Sequence, residues 1–149
     1  EMWQGPKGAK QDFILPESWI EVKSTNLGKR EIHISSLEQL DSPISDGVLS
    51  VVTLQESNAY DANAICLSTF IDEIESEIND DLIAIDFKEK LLLVGYGQNK
   101  ENELYFRVCG IENYRVNEEF PKIKRNDIPT AITKVSYTLN LEAISNFKI

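Results

Sequence analysis

Apolar and polar residues alternate with a period of two early in the chain. Ile20 and Val22 interleave with Glu21 and Lys23, and Ile32 and Ile34 with Glu31 and His33, as expected of strands with one face toward a core. Leu15-Pro16-Glu17-Ser18 reads as a tight turn, so 12–15 and 19–25 form a predicted β-hairpin. With 31–35 it extends to a three-stranded antiparallel meander. Ser35 or Ser36 caps a short helix through Leu40, which Asp41-Ser42-Pro43 stops. The β-branched run 48–54 predicts a buried strand. The period then lengthens: Leu67, Ile71, Ile74 and Ile78 mark a helix over 63–78, and Ile83, Phe87, Leu91 and Val94 another over 80–95. Both are expected to pack on the sheet as core helices. Two strands at 104–108 and 111–116, a polar loop over 118–130 and a last strand within 131–141 complete an α/β chain with a central mixed sheet flanked by helices.

The length of 149 residues suits one domain. Residue 1 is Glu, so a processing boundary and a further N-terminal element ahead of it are expected. No apolar run approaches the roughly 20 residues of a membrane span. Cys66 and Cys109 lie in apolar surroundings and read as reduced core cysteines of a cytoplasmic protein. With two Cys and one His, a zinc centre is excluded, and any metal must be held by oxygen. The net charge of −10 argues against a simple nucleic-acid coat. The acidity is concentrated in 35–103, however. Lys7, Lys10, Lys29 and Arg30 flank the hairpin and are the candidate contacts to a nucleic-acid backbone.

The hairpin also carries the candidate chemistry. With Pro16 and Glu17 at the turn, Ile14 pairs with Trp19, Phe13 with Ile20, and Asp12 with Glu21. Directly opposed carboxylates have Cβ atoms about 4.5–5.5 Å apart and repel. A hard divalent cation offsets that repulsion by taking both as ligands, with Mg²⁺ the natural choice. Lys23 follows Glu21 on the same face and is placed to orient a water or neutralise developing charge, so the set reads as a hydrolytic phosphodiester site. Ile20, Val22, Phe13 and Leu15 take the other face as expected core. The plain alternative is an exposed polar strand face, which alternating strands usually show. His33 reads as an incidental outward residue. Trp19 reads as partial core, and Gly95-Tyr96-Gly97 as a helix end.

Asp12-Phe13-Ile14-Leu15 with Trp19-Ile20-Glu21-Val22-Lys23-Ser24-Thr25 resembles the catalytic hairpin of the PD-(D/E)xK nucleases. Together with Trp3-Gln4-Gly5-Pro6, Ile34-Ser35-Ser36-Leu37-Glu38-Gln39-Leu40 and Val135-Ser136-Tyr137, it is similar to a bacterial family known only by its assignment to that superfamily. Genes of that family are often found in restriction or phage-defence neighbourhoods. The resemblance implies a restriction-endonuclease-like core and Mg²⁺- or Mn²⁺-dependent cleavage of DNA, with other defence-system subunits as possible partners. It makes Asp12, Glu21 and the Val22 carbonyl the metal ligands, Lys23 the catalytic lysine and Gln39 a residue that positions substrate. Gln11 stands where the motif's name has Pro, a position without a chemical role. Many relatives take an extra acidic ligand from an N-terminal helix, for which Glu1 is a weak candidate. The alternative is a nuclease-fold module that binds DNA or a partner without cutting.

Overall fold

The computed structural model describes residues 2–97 and 103–149, so Glu1 lies outside the described residues. The hairpin forms in the expected register. Strand β1 (Phe13–Ile14) runs antiparallel to β2 (Trp19–Asn26), pairing Phe13 with Ile20 and Ile14 with Trp19. The Leu15 N–H closes the turn on the Ser18 carbonyl at 2.9 Å.

The expected meander does not form. Strand β3 (Glu31–Ile34) leaves the sheet and pairs antiparallel with β7 (Tyr137–Asn140). The second edge of β2 is taken in parallel by β4 (Gly47–Ser57), from Trp19 opposite Gly47 to Asn26 opposite Leu54. Parallel partners need a long crossover, and 27–46 supplies it, with β3 and a 3-10 turn at Leu37–Gln39 where the short helix was expected. Alternation dictated which side of β3 is buried, but it carries no information about the partner strand.

The two strands expected at 104–108 and 111–116 are one, β6 (Tyr105–Val116), antiparallel to β4. Thr53 pairs with Gly110 and Leu54 with Val108, so Cys109 is the extra residue of a β-bulge. The bulge explains why Cys109 is exposed rather than core; Cys66 is half-buried, and both thiols are free. Strand β5 (Ile65–Cys66) adds to the far edge of β6, giving a mixed sheet of order β1-β2-β4-β6-β5. Helices α1 (Leu67–Glu77) and α2 (Asp81–Leu93) flank it in an α/β, restriction-endonuclease-like core. No helix among the described residues is long and apolar enough to cross a membrane.

The hydrophobic core lies on one face of the sheet. Trp19, Leu49, Val51, Tyr114 and Val116 close there against Ile32, Ile34 and Leu139 of the β3–β7 pair and against Leu40, Phe120, Leu141 and Ile144. Gly47 leaves the space that the Trp19 ring fills, since a Cβ there would fall 2.1 Å from the ring, and the Trp19 Nε1–H donates to the Ile44 carbonyl at 2.9 Å. By the period of two, Glu21 and Lys23 project from the same face as Trp19. The core was expected on the opposite face, yet Phe13, Leu15, Ile20 and Val22 are only half-buried. The helices also depart from expectation: only Ile71 of α1 and Lys90 of α2 are buried. Ile83 and Val94, expected on the inner stripe of α2, are 47% and 59% exposed.

Candidate active site

The pairing of Phe13 with Ile20 carries one residue further to set Asp12 against Glu21. Asp12 is tied to the next residue of β2, its Oδ2 accepting the Val22 N–H at 2.9 Å. On an extended strand the N–H and C=O of one residue point to the same side, so the Val22 carbonyl also faces the β1 edge. Glu21 is 2% exposed. Burial pushes its carboxyl up to about 7 from 4.5, and the negative charge of Asp12 adds to the rise. The hydrogen bond and charge of Lys23 and the Asp12 backbone N–H oppose it.

Lys23 is the cation that faces this group. Its Nζ lies 2.8 Å from Glu21 Oε1 and donates to Gln39 Oε1 at 3.0 Å. Gln39, at the end of the 3-10 turn, also accepts from the Ser35 N–H at 2.9 Å and the Ser35 hydroxyl at 3.0 Å. One amide oxygen therefore ties the crossover to the lysine, and the turn is held from its other side by Gln11, whose Nε2 donates to the Glu38 carbonyl. Asp12, Glu21, Val22, Lys23 and Gln39 thus converge. Ser35 and Gln11 were not anticipated as partners; side-chain to backbone contacts across the crossover leave no periodic signal.

The basic residues are distributed differently. Lys7 pairs with Asp86 of α2, and Lys10 is exposed on the loop before β1. Lys29 and Arg30 lie in the turn past Asn26, which is roughly 17 Å along β2 from Glu21 at about 3.3 Å per residue. Arg30 there meets Glu142 at 3.6 Å and Glu112 at 4.0 Å. His33 is exposed on β3, opposite Thr138.

The donor chemistry suits a hard cation. Among the described residues no group of three or more His, Cys, Asp and Glu converges. Two carboxylates and a strand carbonyl remain, a set that suits Mg²⁺ or Mn²⁺, which keep waters or substrate oxygens in their shell, better than Ca²⁺, which asks for more protein oxygens.

A mixed sheet whose edge hairpin brings together Asp12, Glu21 and Lys23 is the arrangement of the restriction-endonuclease-like class, the PD-(D/E)XK superfamily, whose members are typically nucleases that use divalent metals. Residues 1–142 match the model of the family described as "Putative PD-(D/E)XK family member, (DUF4420)", and the chain belongs to that family. No curated protein and no solved structure matches it.

Proposed function

We propose that the chain is a metal-dependent endonuclease that hydrolyses phosphodiester bonds of DNA within a restriction or phage-defence system. The observation that supports this most is Glu21, a carboxyl sealed at 2% exposure beside a second carboxylate. Such a pair destabilises a fold unless a cation or a proton relieves it. Asp12, Glu21 and the Val22 carbonyl would hold Mg²⁺ or Mn²⁺. When bound, such an ion polarises a phosphoryl oxygen and lowers the pKa of water.

The protein's own groups divide the remaining work. Asp12 and Glu21 supply the negative charge that holds the ion. Lys23 is fixed between Glu21 and Gln39, so its ammonium is preorganised to orient the attacking water or to stabilise charge growing on the phosphate. Gln39 accepts from that ammonium on a second side, so the lysine is held at two points rather than one. Lys7, Lys10, Lys29 and Arg30 would take the DNA backbone as positioning contacts.

A second reading, a nuclease-fold module that docks a partner without cutting, draws on the exposed apolar residues of α2, among them Leu82 at 76% and Leu93 at 63%.

The test is cleavage of duplex DNA with Mg²⁺ or Mn²⁺ beside calorimetric metal titration. Asp12→Asn and Glu21→Gln should lose metal binding and cleavage together. Lys23→Ala should keep much of the metal binding and lose cleavage. Undiminished cleavage in Glu21→Gln and Lys23→Ala sinks the nuclease reading. Wild-type Mg²⁺ and DNA binding without cleavage, unchanged by these substitutions, favours the docking module.

A further inference from the structure

The Trp3-Gln4-Gly5-Pro6 run supplies none of the chemistry above, yet its backbone grips the residue that does. The Gln4 and Gly5 N–H groups both donate to the Asp12 carbonyl, at 2.7 and 3.1 Å. One step further on, the Ile14 N–H donates to the Met2 carbonyl at 2.8 Å, and Trp3 forms an antiparallel bridge to Phe13. Residues 2–5 therefore lie along the outer edge of β1, and the 3-10 turn Gly5–Lys7, stiffened by Pro6, folds back over Asp12.

Gly5 is where this segment meets the carboxylate. A Cβ on Gly5 would sit 2.5 Å from Asp12 Oδ1 and 3.3 Å from the Asp12 Cα. The glycines with positive φ are Gly8, Gly28, Gly95 and Gly97, so backbone freedom does not explain a glycine at position 5. Space for the carboxylate does. Asp12 is thus bounded on two sides, its Oδ1 by the Gly5 backbone and its Oδ2 by the Val22 N–H.

Helix α2 holds the segment down. The Trp3 ring lies 5.8 Å from the Phe87 ring, and Lys90 Nζ is 5.8 Å from the Trp3 centroid. Asp86 pairs with Lys90 and, from the other side, with Lys7. Lys90 is the one buried residue of α2. A buried lysine is costly unless it is paired, and its partners are Asp86 and the π face of Trp3. The seat of this otherwise exposed helix is therefore the segment that covers Asp12.

We infer that residues 3–7 form a positioning strap for the Asp12 carboxylate, with Gly5 setting its place and Phe87, Asp86 and Lys90 of α2 anchoring it. The inference rests on the reading of Asp12 as a metal ligand, and Gly5 is a positioning residue, not a catalytic one.

The Val22 amide reports on the carboxylate directly, without metal or activity. In ¹⁵N-labelled full chain in EDTA, Gly5→Ala should speed exchange of the Val22 amide by about tenfold relative to the Val51 and Tyr114 amides, a local opening with the global fold intact. Calorimetric Mn²⁺ affinity should fall by about tenfold, in line with losses at outer-shell partners of metal ligands. Unchanged Val22 exchange in folded Gly5→Ala overturns the strap. Should that variant fail to fold, Phe87→Leu, which only loosens the anchor, should move Val22 in the same direction, and an unmoved amide there overturns it equally. A wild type that takes up no Mn²⁺ while Gly5→Ala still frees the Val22 amide overturns the metal reading and leaves the strap standing.

Discussion

Replacing Glu21 with Gln should remove a pH dependence that this residue builds into the fold. Its carboxyl titrates at about 7 in the folded protein against an ordinary 4.5. Between those values the folded chain keeps a proton that the unfolded chain has released. The folded state is therefore favoured below about pH 4.5, and stability drops as pH rises toward 7, the opposite of a carboxylate whose pKa is depressed. Each pKa unit is worth about 1.36 kcal/mol, so metal-free wild type should lose on the order of 3 kcal/mol across this window through Glu21. Gln carries no proton to lose. Measured against wild type, Glu21→Gln should gain about 3 kcal/mol between pH 4.5 and 8, whatever constant offset the lost Lys23 contact adds. For a chain of about 150 residues that is roughly 6–12 °C in Tm. The assay is urea and thermal unfolding of both proteins in EDTA from pH 4.5 to 8.5. Parallel stability curves would refute the argument, because they would mean that Glu21 titrates normally or is reached by water.

The same proton should compete with metal. Apparent Mn²⁺ affinity should rise up to about tenfold per pH unit below 7 and flatten above 8, which calorimetry at fixed ionic strength can check; a pH-independent affinity would exclude Glu21 as a ligand. Neutralising Lys7, Lys10, Lys29 and Arg30 together should weaken DNA binding and flatten its salt dependence, and an unchanged salt slope in a filter-binding series would put the DNA path elsewhere. Leu49→Ala, which empties part of the core beside Glu21 on the neighbouring strand, should cost about 2–5 kcal/mol of unfolding free energy. Gly47→Val should be worse for folding than Leu49→Ala, because the Trp19 ring already occupies its side-chain space; near wild-type stability in denaturant would show that Trp19 can move.

The hairpin was readable in the chain because a two-residue turn fixes register. Once Pro16-Glu17 is the turn, the pairing of Phe13 with Ile20 is geometry, and the convergence of Asp12, Glu21 and Lys23 follows. The core lies on the side of the sheet opposite to the expected one for a specific reason. The apolar set Phe13, Leu15, Ile20 and Val22 is the one expected inward, whereas Glu21 and Lys23 project into the side that Trp19, Leu49 and Tyr114 fill, and alternation by itself does not say which set is inward when charged residues are placed there for chemistry. The partner of β3 was hidden because Leu139 lies more than a hundred positions from Ile32. The runs 104–108 and 111–116 read as two strands, and the chain joins them into one through the bulge at Cys109. The apolar periodicity of α2 was real, but much of it faces outward, and the helix seats itself through Lys90 and Phe87 on the N-terminal segment.

Strands β4 and β6 pair along their length, yet the chain travels through both helices between Ser57 and Tyr105. Among the described residues, the central cluster draws nothing from that excursion. The entropy of closing a loop grows only logarithmically, about 0.6 kcal/mol for each doubling of its length, so the sheet tolerates inserted or deleted turns in this stretch far more cheaply than in the hairpin. The cost falls on time. With β2 meeting β4 and β4 meeting β6 only after distant segments find each other, folding should run in the millisecond-to-second range of non-local topologies, and one edge of β4 must wait open until β6 arrives.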